Sequence, residues 1–337
     1  MRGADYFEKG SDMHSVIFEE FGSPAQVLKL AERPKPEPGP GEVRVRMVMS
    51  AIHNHDLMII AGQYGMKPEL PAVPGTEAVG VVDALGAGVT ALKVGQRVCG
   101  GGSAMWAEYF VAGAASLIAL PDAVPDETAC QLIAMPISAF RLVEELEVKA
   151  GDWIIQNAAN GAVGKMLAGF AAERGINVVN LVRRDAAIAE LQEVGIGNAI
   201  STEQDGWEER IRDLTKGAPI VRGLDSIGGD GPDALLSVMA DESVLYFFGA
   251  LSGRKLRITP ANVLFKRATI KGFWAAKPST LVSPQAIGAM IGELVRRAAS
   301  GQLRLPVAEV FPLAQAAAAA GASDEPGRRG KIALRGS

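Results

Sequence analysis

Residues 152–185 read DWIIQNAANGAVGKMLAGFAAERGINVVNLVRRD, and the fold turns on this stretch. Trp153-Ile154-Ile155 is a short apolar run of the kind found in a buried parallel strand. Ala159-Asn160-Gly161-Ala162-Val163-Gly164 follows, a turn of small residues spaced A-x-G-x-x-G. Val163, Met166, Leu167, Phe170 and Ala171 then recur on one face of a 3.6-residue period, which predicts a helix ended by Gly175. Asn177–Val182 reads as a second strand. The whole is a βαβ unit whose turn lies one residue from the dinucleotide fingerprint. Without a Cβ, Gly161 lets the backbone approach a pyrophosphate, and Gly164 lets the helix pack on its strand. The helix N-terminus, with its orphan N–H groups, holds the anion.

The end of the second strand selects the coenzyme. An acidic residue about 20 positions beyond the glycines would bond the ribose 2′-hydroxyl of NAD. Here the chain carries Arg183-Arg184, two guanidiniums suited to a 2′-phosphate, so the expected cofactor is NADPH. A solvated basic pair with Asp185 as helix N-cap is the plainer alternative.

The chain has 337 residues, enough for two domains, with 48% hydrophobic and 21% charged residues and a net charge of −4. That balance gives no reason to expect nucleic acid or an anionic membrane as partner. No apolar stretch reaches the ~18 residues of a membrane span. The opening MRGADYFEKGSD lacks the apolar core of a signal peptide, so a loose tail over residues 1–12 and a cytoplasmic protein are expected. The two cysteines, Cys99 and Cys130, exclude a disulfide scaffold and a four-cysteine zinc site.

Along the chain, Ser15–Phe18, Val43–Met49, Glu77–Ala84, Gln96–Gly100, Ala104–Val111 and Ser116–Leu120 read as short strands, with a Pro/Gly-dense loop over 34–41. This is the pattern of a small β barrel or sandwich. A helical region runs from Pro125 to Leu146. Beyond Gly151, strands near Ala199, Ile220–Leu224, Val244–Phe248 and Thr269–Phe273 alternate with helices, as in a doubly wound sheet. Gln285–Gly301 reads as a helix, the alanine-rich 314–320 as a packed helix, and Lys331–Leu334 as a final strand returning to the first domain.

Several strings carry a family likeness: Gly62-Gln63-Tyr64-Gly65, Ile155-Gln156-Asn157-Ala158-Ala159-Asn160, Leu181-Val182-Arg183-Arg184, Val263-Leu264-Phe265-Lys266, Lys271-Gly272-Phe273-Trp274 and Gly330-Lys331-Ile332. From about Met13 onward the chain resembles the medium-chain dehydrogenase/reductase superfamily, and within it the zinc-independent branch of 2-enoyl thioester reductases and quinone oxidoreductases. The resemblance implies a β-rich GroES-like domain over 13–135 with about 285–337, a Rossmann domain over 136–284 and a homodimer. It implies Tyr64 as the catalytic residue. Asn160, Gly161, Ala162 and Val163 would form the pyrophosphate turn, with Arg183 and Arg184 on the 2′-phosphate. Phe248, Gly249, Ala250, Phe273 and Trp274 would flank the nicotinamide, and Lys331 would touch the cofactor. Departures fall at His53-Asn54-His55, where the family has Asn-Pro-Ser before the aspartate here at Asp56, and at Met135-Pro136 with Ser138. His53, Asn54, Met135 and Ser138 are therefore expected at a substrate pocket.

Zinc-dependent relatives carry Cys at the position of His53 and His at that of Thr76. His53 and His55, two apart, would share a strand face and with Glu77 would supply three ligands; the reading adopted is neutral pocket histidines and no metal. The expected reaction is hydride delivery to the β-carbon of an electron-poor alkene. Tyr64 would act as hydrogen-bond donor and general acid, since a phenol of reference pKa about 10 is protonated at neutral pH. The preferred small-molecule substrate is a trans-2-enoyl thioester. A quinone, a zinc-type alcohol dehydrogenation and an NADPH-binding sensor without turnover are the alternatives.

Overall fold

The computed structural model describes residues 12–277, 282–325 and 327–336. The tail expected over residues 1–12 lies outside the described residues except for Asp12, which already opens the first strand. Met135–Ile287 form one compact unit, and the chain before and after them forms the other.

The first unit holds β1 (Asp12–Ile17), β2 (Lys29–Pro34), β3 (Glu42–Ala51), β4 (Glu77–Leu85), β5 (Arg97–Gly101), β6 (Tyr109–Gly113) and β7 (Leu117–Ala119). β3 organises it. Its sequence EVRVRMVMSA alternates, and Val43, Val45, Met47 and Met49 are buried while Arg44 and Arg46 point to the other face. β3 pairs antiparallel with β4 and β6. The core gathers Phe18, Val45, Met47, Ile60, Trp106 and Phe110.

The second unit contributes β8 (Trp153–Gln156), β9 (Asn177–Val182), β10 (Ala199–Ser201), β11 (Ile220–Asp225), β12 (Val244–Phe247) and β13 (Thr269–Gly272). They form a six-stranded sheet ordered β10-β9-β8-β11-β12-β13, every pair parallel. Its inner strands are apolar nearly throughout, because helices cover both faces. Strand order reverses between β8 and β11, the crevice where doubly wound sheets take their ligands. This is the plan expected from the alternating pattern.

The chain then returns to the first unit with β14 (Val307–Pro312) and β15 (Lys331–Arg335). β15 lies between β14 and β3, completing the sheet β14-β15-β3-β4-β5-β7. The alanine-rich run packs as expected: helix Ala316–Asp324 buries Ala316, Ala319 and Ala320.

Four strand expectations need correction. β2 and β14 were not anticipated, because both are edge-type strands with no buried residue and so lack the apolar alternation that marks a strand. Of the expected Ala104–Val111 stretch only Tyr109–Val111 is strand, which continues to Gly113; Ala104 has φ +58°, and Met105 and Trp106 are core residues in an irregular segment. Ser116 closes a 3₁₀ turn rather than opening a strand. Among the described residues no helix is long and apolar enough to cross a membrane.

Candidate active site

The turn after β8 is built around close backbone packing. Helix Ala162–Glu173 starts directly behind Gly161. A Cβ on Gly164 would stand 2.7 Å from the Ala159 carbonyl oxygen and 2.8 Å from its Cα. No side chain fits there, which is why the helix can begin so close to the strand. The buried Gln156 ties the two together, donating from Nε2 to the Gly164 carbonyl at 2.9 Å and to Asn180 Oδ1 at 2.7 Å. Gly175, with φ +69°, ends the segment as expected. The first-turn N–H groups of the helix have no partner within it, as at any helix start.

Two residues that sequence reasoning passed over bridge the switch point. Asn157 at the end of β8 donates to Asp225 Oδ2 at the end of β11 at 2.5 Å, and its Oδ1 accepts from the Ser226 N–H at 3.0 Å. Asp225 Oδ1 accepts from the N–H groups of Ile227 and Gly228. Burial raises the Asp225 carboxyl, against these donors. An Asn and an Asp 68 positions apart give no local signal of their pairing.

Arg183 and Arg184 sit in the turn after β9. Arg183 is exposed; Arg184 is partly buried, with Nη2 3.8 Å from Glu190 Oε1. Asp185 stands at the head of the next helix but does not cap it with its side chain, which accepts instead from Gln204 Nε2. Phe248 and Gly249 follow β12. A Cβ on Gly249 would lie 2.6 Å from the Ser226 carbonyl, so this loop crosses the Asp225 loop at backbone contact, with exposed Ala250 beyond. Phe273 and Trp274, both partly buried, follow β13, and the Phe273 N–H donates to the Phe247 carbonyl. Met135 and Ser138 are partly buried residues of helix Ala134–Glu145.

The first unit holds a polar cluster on a helix, Asn54–Ile60, and on the start of β4. His53 is its N-cap and His55 lies in its first turn, so the expected strand face for the two histidines is wrong. Their rings stack instead, 5.1 Å apart at 11°. His53 and Glu77 are wholly buried. His53 Nε2 is 2.9 Å from Glu77 Oε2, and the same carboxyl accepts from the N–H groups of Ile133 and Ala134 at 2.6 and 3.0 Å. Burial pushes Glu77 up to about 7, opposed by those two N–H groups. Burial also holds His53 well below its ordinary value, and the charge of Lys331 adds to this. A neutral ring donating from Nε2 satisfies both partners and leaves Nδ1, which is buried and has no hydrogen-bond partner.

His55 Nε2 lies 2.6 Å from Thr76 Oγ1, which donates to Asp56 Oδ1 at 2.7 Å. Asp56 Oδ2 accepts from the His53 backbone N–H at 2.9 Å. Tyr64, partly buried in the turn after Gly62, presents its ring to His55 with centroids 6.0 Å apart. Lys331, at the head of β15, is brought down to about 8 by burial of its ammonium, with Asp56 pulling it up. Of the residues expected at a pocket, His53 is in this cluster. Asn54 is not: it is exposed, and its Nδ2 lies 3.6 Å from Met58 Sδ.

This cluster does not suit a metal. Glu77 occupies His53 Nε2, Thr76 occupies His55 Nε2, and the two bonds lead to different partners. Among the described residues no group of three His, Cys, Asp or Glu is placed to hold one. Thiol chemistry has no support either: burial raises Cys99 to about 12 and Cys130 well above its ordinary value, so neither is a thiolate at neutral pH.

The family model described as alcohol dehydrogenase GroES-like domain matches residues 39–122, and the one described as zinc-binding dehydrogenase matches 162–290. The mitochondrial enoyl-[acyl-carrier-protein] reductase of Bos taurus is 30% identical over 323 residues, 94% of this chain and 87% of that protein. The Homo sapiens protein of the same name is 30% identical over 322 residues, 93% and 86% of the two chains. Among solved structures, a quinone oxidoreductase of Pseudomonas syringae pv. Tomato has a TM-score of 0.84 at 27% identity, covering 96% of this chain and 99% of its own. A mycobacterial protein complexed with NADPH has a TM-score of 0.81 at 28% identity, covering 96% and 100%. The likeness runs through both units and the returning C-terminal strands, and the chain belongs to the medium-chain dehydrogenase/reductase superfamily, as an oxidoreductase of the zinc-independent branch that unites enoyl thioester reductases with quinone oxidoreductases.

Proposed function

We propose that the protein is an NADPH-dependent reductase of an activated C=C bond, with a trans-2-enoyl thioester as substrate. The observation that carries this reading most is the switch point of the parallel sheet, where a helix start packed through Gly164 is followed one strand later by Arg183 and Arg184. Asn160–Val163 would hold the pyrophosphate and the two arginines the 2′-phosphate. Phe248–Ala250, Phe273 and Trp274 would border the nicotinamide, and Lys331 would add a cation toward the cofactor.

When bound, the nicotinamide supplies a hydride. Negative charge then develops on the substrate carbonyl oxygen, and the α-carbon requires a proton. Tyr64 supplies a hydroxyl donor for both needs. Its neighbour His55 is held by Thr76. Reduction of a quinone is the second reading, favoured by the Pseudomonas syringae likeness.

The test follows NADPH absorbance with a crotonyl thioester, then with benzoquinone, with and without a chelator. Thioester turnover insensitive to chelator is expected, and faster turnover of benzoquinone favours the second reading. NADPH binding with no oxidation in either arm turns the protein into a binding module. Replacing both arginines by Ala should raise KM for NADPH by about 10²–10⁴-fold, since each of the two bonds to a charged group is worth ~1.5–3 kcal/mol. KM for NADH should not move; a wild-type preference for NADH sinks the cofactor assignment.

We also propose a homodimer through β13. It ends the six-stranded sheet, and Leu264, Phe265 and Ile270 are 67%, 77% and 37% exposed beside it. Sedimentation should show a dimer that Phe265→Asp converts to monomer; a monomeric wild type at micromolar concentration refutes it.

A further inference from the structure

The hydrogen-bond chain behind His55 settles which nitrogen of its ring carries hydrogen. The single hydroxyl proton of Thr76 is given to Asp56 Oδ1 at 2.7 Å, so Thr76 Oγ1 meets His55 as an acceptor and Nε2 carries the hydrogen of the 2.6 Å bond. Nδ1 is then the nitrogen that gains and loses a proton. Asp56 Oδ1 also lies 3.8 Å from Nε2, and its carboxylate is itself wholly buried. The charged and titratable groups around the ring are Asp56 and His53 on its own helix and N-cap, Glu77 on β4 and Tyr64 in the following turn; Lys331 on β15 acts on the same cluster. The side chain of His55 keeps 20% exposure, while that of its stacked neighbour His53 has none. His53 is committed to Glu77, whereas His55 is partly exposed and its ring faces that of Tyr64.

We propose that His55 returns to Tyr64 the proton that the phenol gives up in each turnover, with Thr76 and Asp56 fixing the ring for the transfer. The inference rests on the reductase reading above and names the proton path of that same site. In the protonation step the Tyr64 O–H bond breaks, and its proton is taken by the electron pair of the α-carbon, forming C–H and leaving a phenolate. The Nδ1–H bond of the His55 imidazolium then breaks, and its proton joins the phenolate oxygen, directly or through one water. Neutral His55 takes a proton from solvent. No oxidation state changes in these steps, and one solvent proton is consumed per substrate. An imidazole suits the task because its ordinary titration range brackets neutrality. The position is one where this chain departs from the Asn-Pro-Ser of the relatives it resembles.

The test is His55→Gln, which keeps a donor toward Thr76 and cannot carry a proton. NADPH binding by fluorescence serves as the fold control. We expect kcat with the thioester to fall by about 10²-fold, the general acid–base scale, with KM for NADPH unchanged. Added imidazole should restore part of the rate. On a Tyr64→Phe background the replacement should cost nothing further. A variant whose rate and pH profile match the wild type, or a loss that imidazole leaves untouched and that persists in full without the phenol, overturns the proposal. A second readout does not depend on turnover: the ultraviolet titration of Tyr64, taken as wild type minus Tyr64→Phe, should shift in His55→Gln. If the wild type reduces neither thioester nor quinone, the reductase reading fails while this titration still reports the coupling; an unmoved titration sinks the coupling alone.

Discussion

Glu77→Ala should destabilise the first unit by about 3–5 kcal/mol, the cost of leaving the partners of a buried charged group unmet. The carboxyl gathers three donors into one wholly buried place: His53 Nε2 and the N–H groups of Ile133 and Ala134. Truncation leaves all three without an acceptor and opens a cavity beside them. Glu77→Gln should cost less. Its carbonyl oxygen still accepts one N–H, and His53 can change tautomer to accept from the new amide. Because the chain has two units, a global midpoint is a poor readout. Hydrogen exchange of the β3 and β4 amides isolates the effect. Protection lowered by less than about tenfold, the equivalent of ~1.4 kcal/mol, would show that the carboxyl is not what holds this region.

Tyr64→Phe should lower kcat for the thioester by about 10²–10³-fold, or ~2.7–4 kcal/mol of transition-state stabilisation, the size seen when one donor to a developing oxyanion is removed. The ring and its packing against His55 remain, so KM for NADPH should hold and the fold should be intact. A fall in kcat and kcat/KM together marks an interaction made in the transition state and absent from the ground state. Unchanged thioester turnover with NADPH still bound would remove Tyr64 from the chemistry, and His55 would lose its reason to be beside it.

Much of this protein was legible along the chain. Trp153–Val182 announced a strand, a tight turn, a helix and a strand, because apolar period and glycine spacing act over a few neighbouring residues. The doubly wound plan followed from repeating that unit, since parallel crossovers of fixed hand leave few other arrangements; the order β10-β9-β8-β11-β12-β13 came with the structure. Strands such as β2 and β14 were silent because they bury nothing and so show no alternation.

The site divided along the same line. Gly161, Gly164, Arg183 and Arg184 stand close together in the chain, and the turn, helix start and strand end that carry them could be read from spacing. The polar cluster could not. Residues 53 and 55 read as a strand face and as candidate metal ligands; folding places them at a helix start and sends one ring to Glu77, 24 positions on, and the other to Thr76, 21 positions on. Asn157 and Asp225 likewise meet only because β8 and β11 are neighbours in the sheet. Composition and periodicity specify backbone, since each residue's preference is a local free energy. Which buried polar groups satisfy one another is a matter of partners brought from distant parts of the chain, and it is those pairings that decide whether His53 and His55 hold a metal, brace a fold or carry a proton.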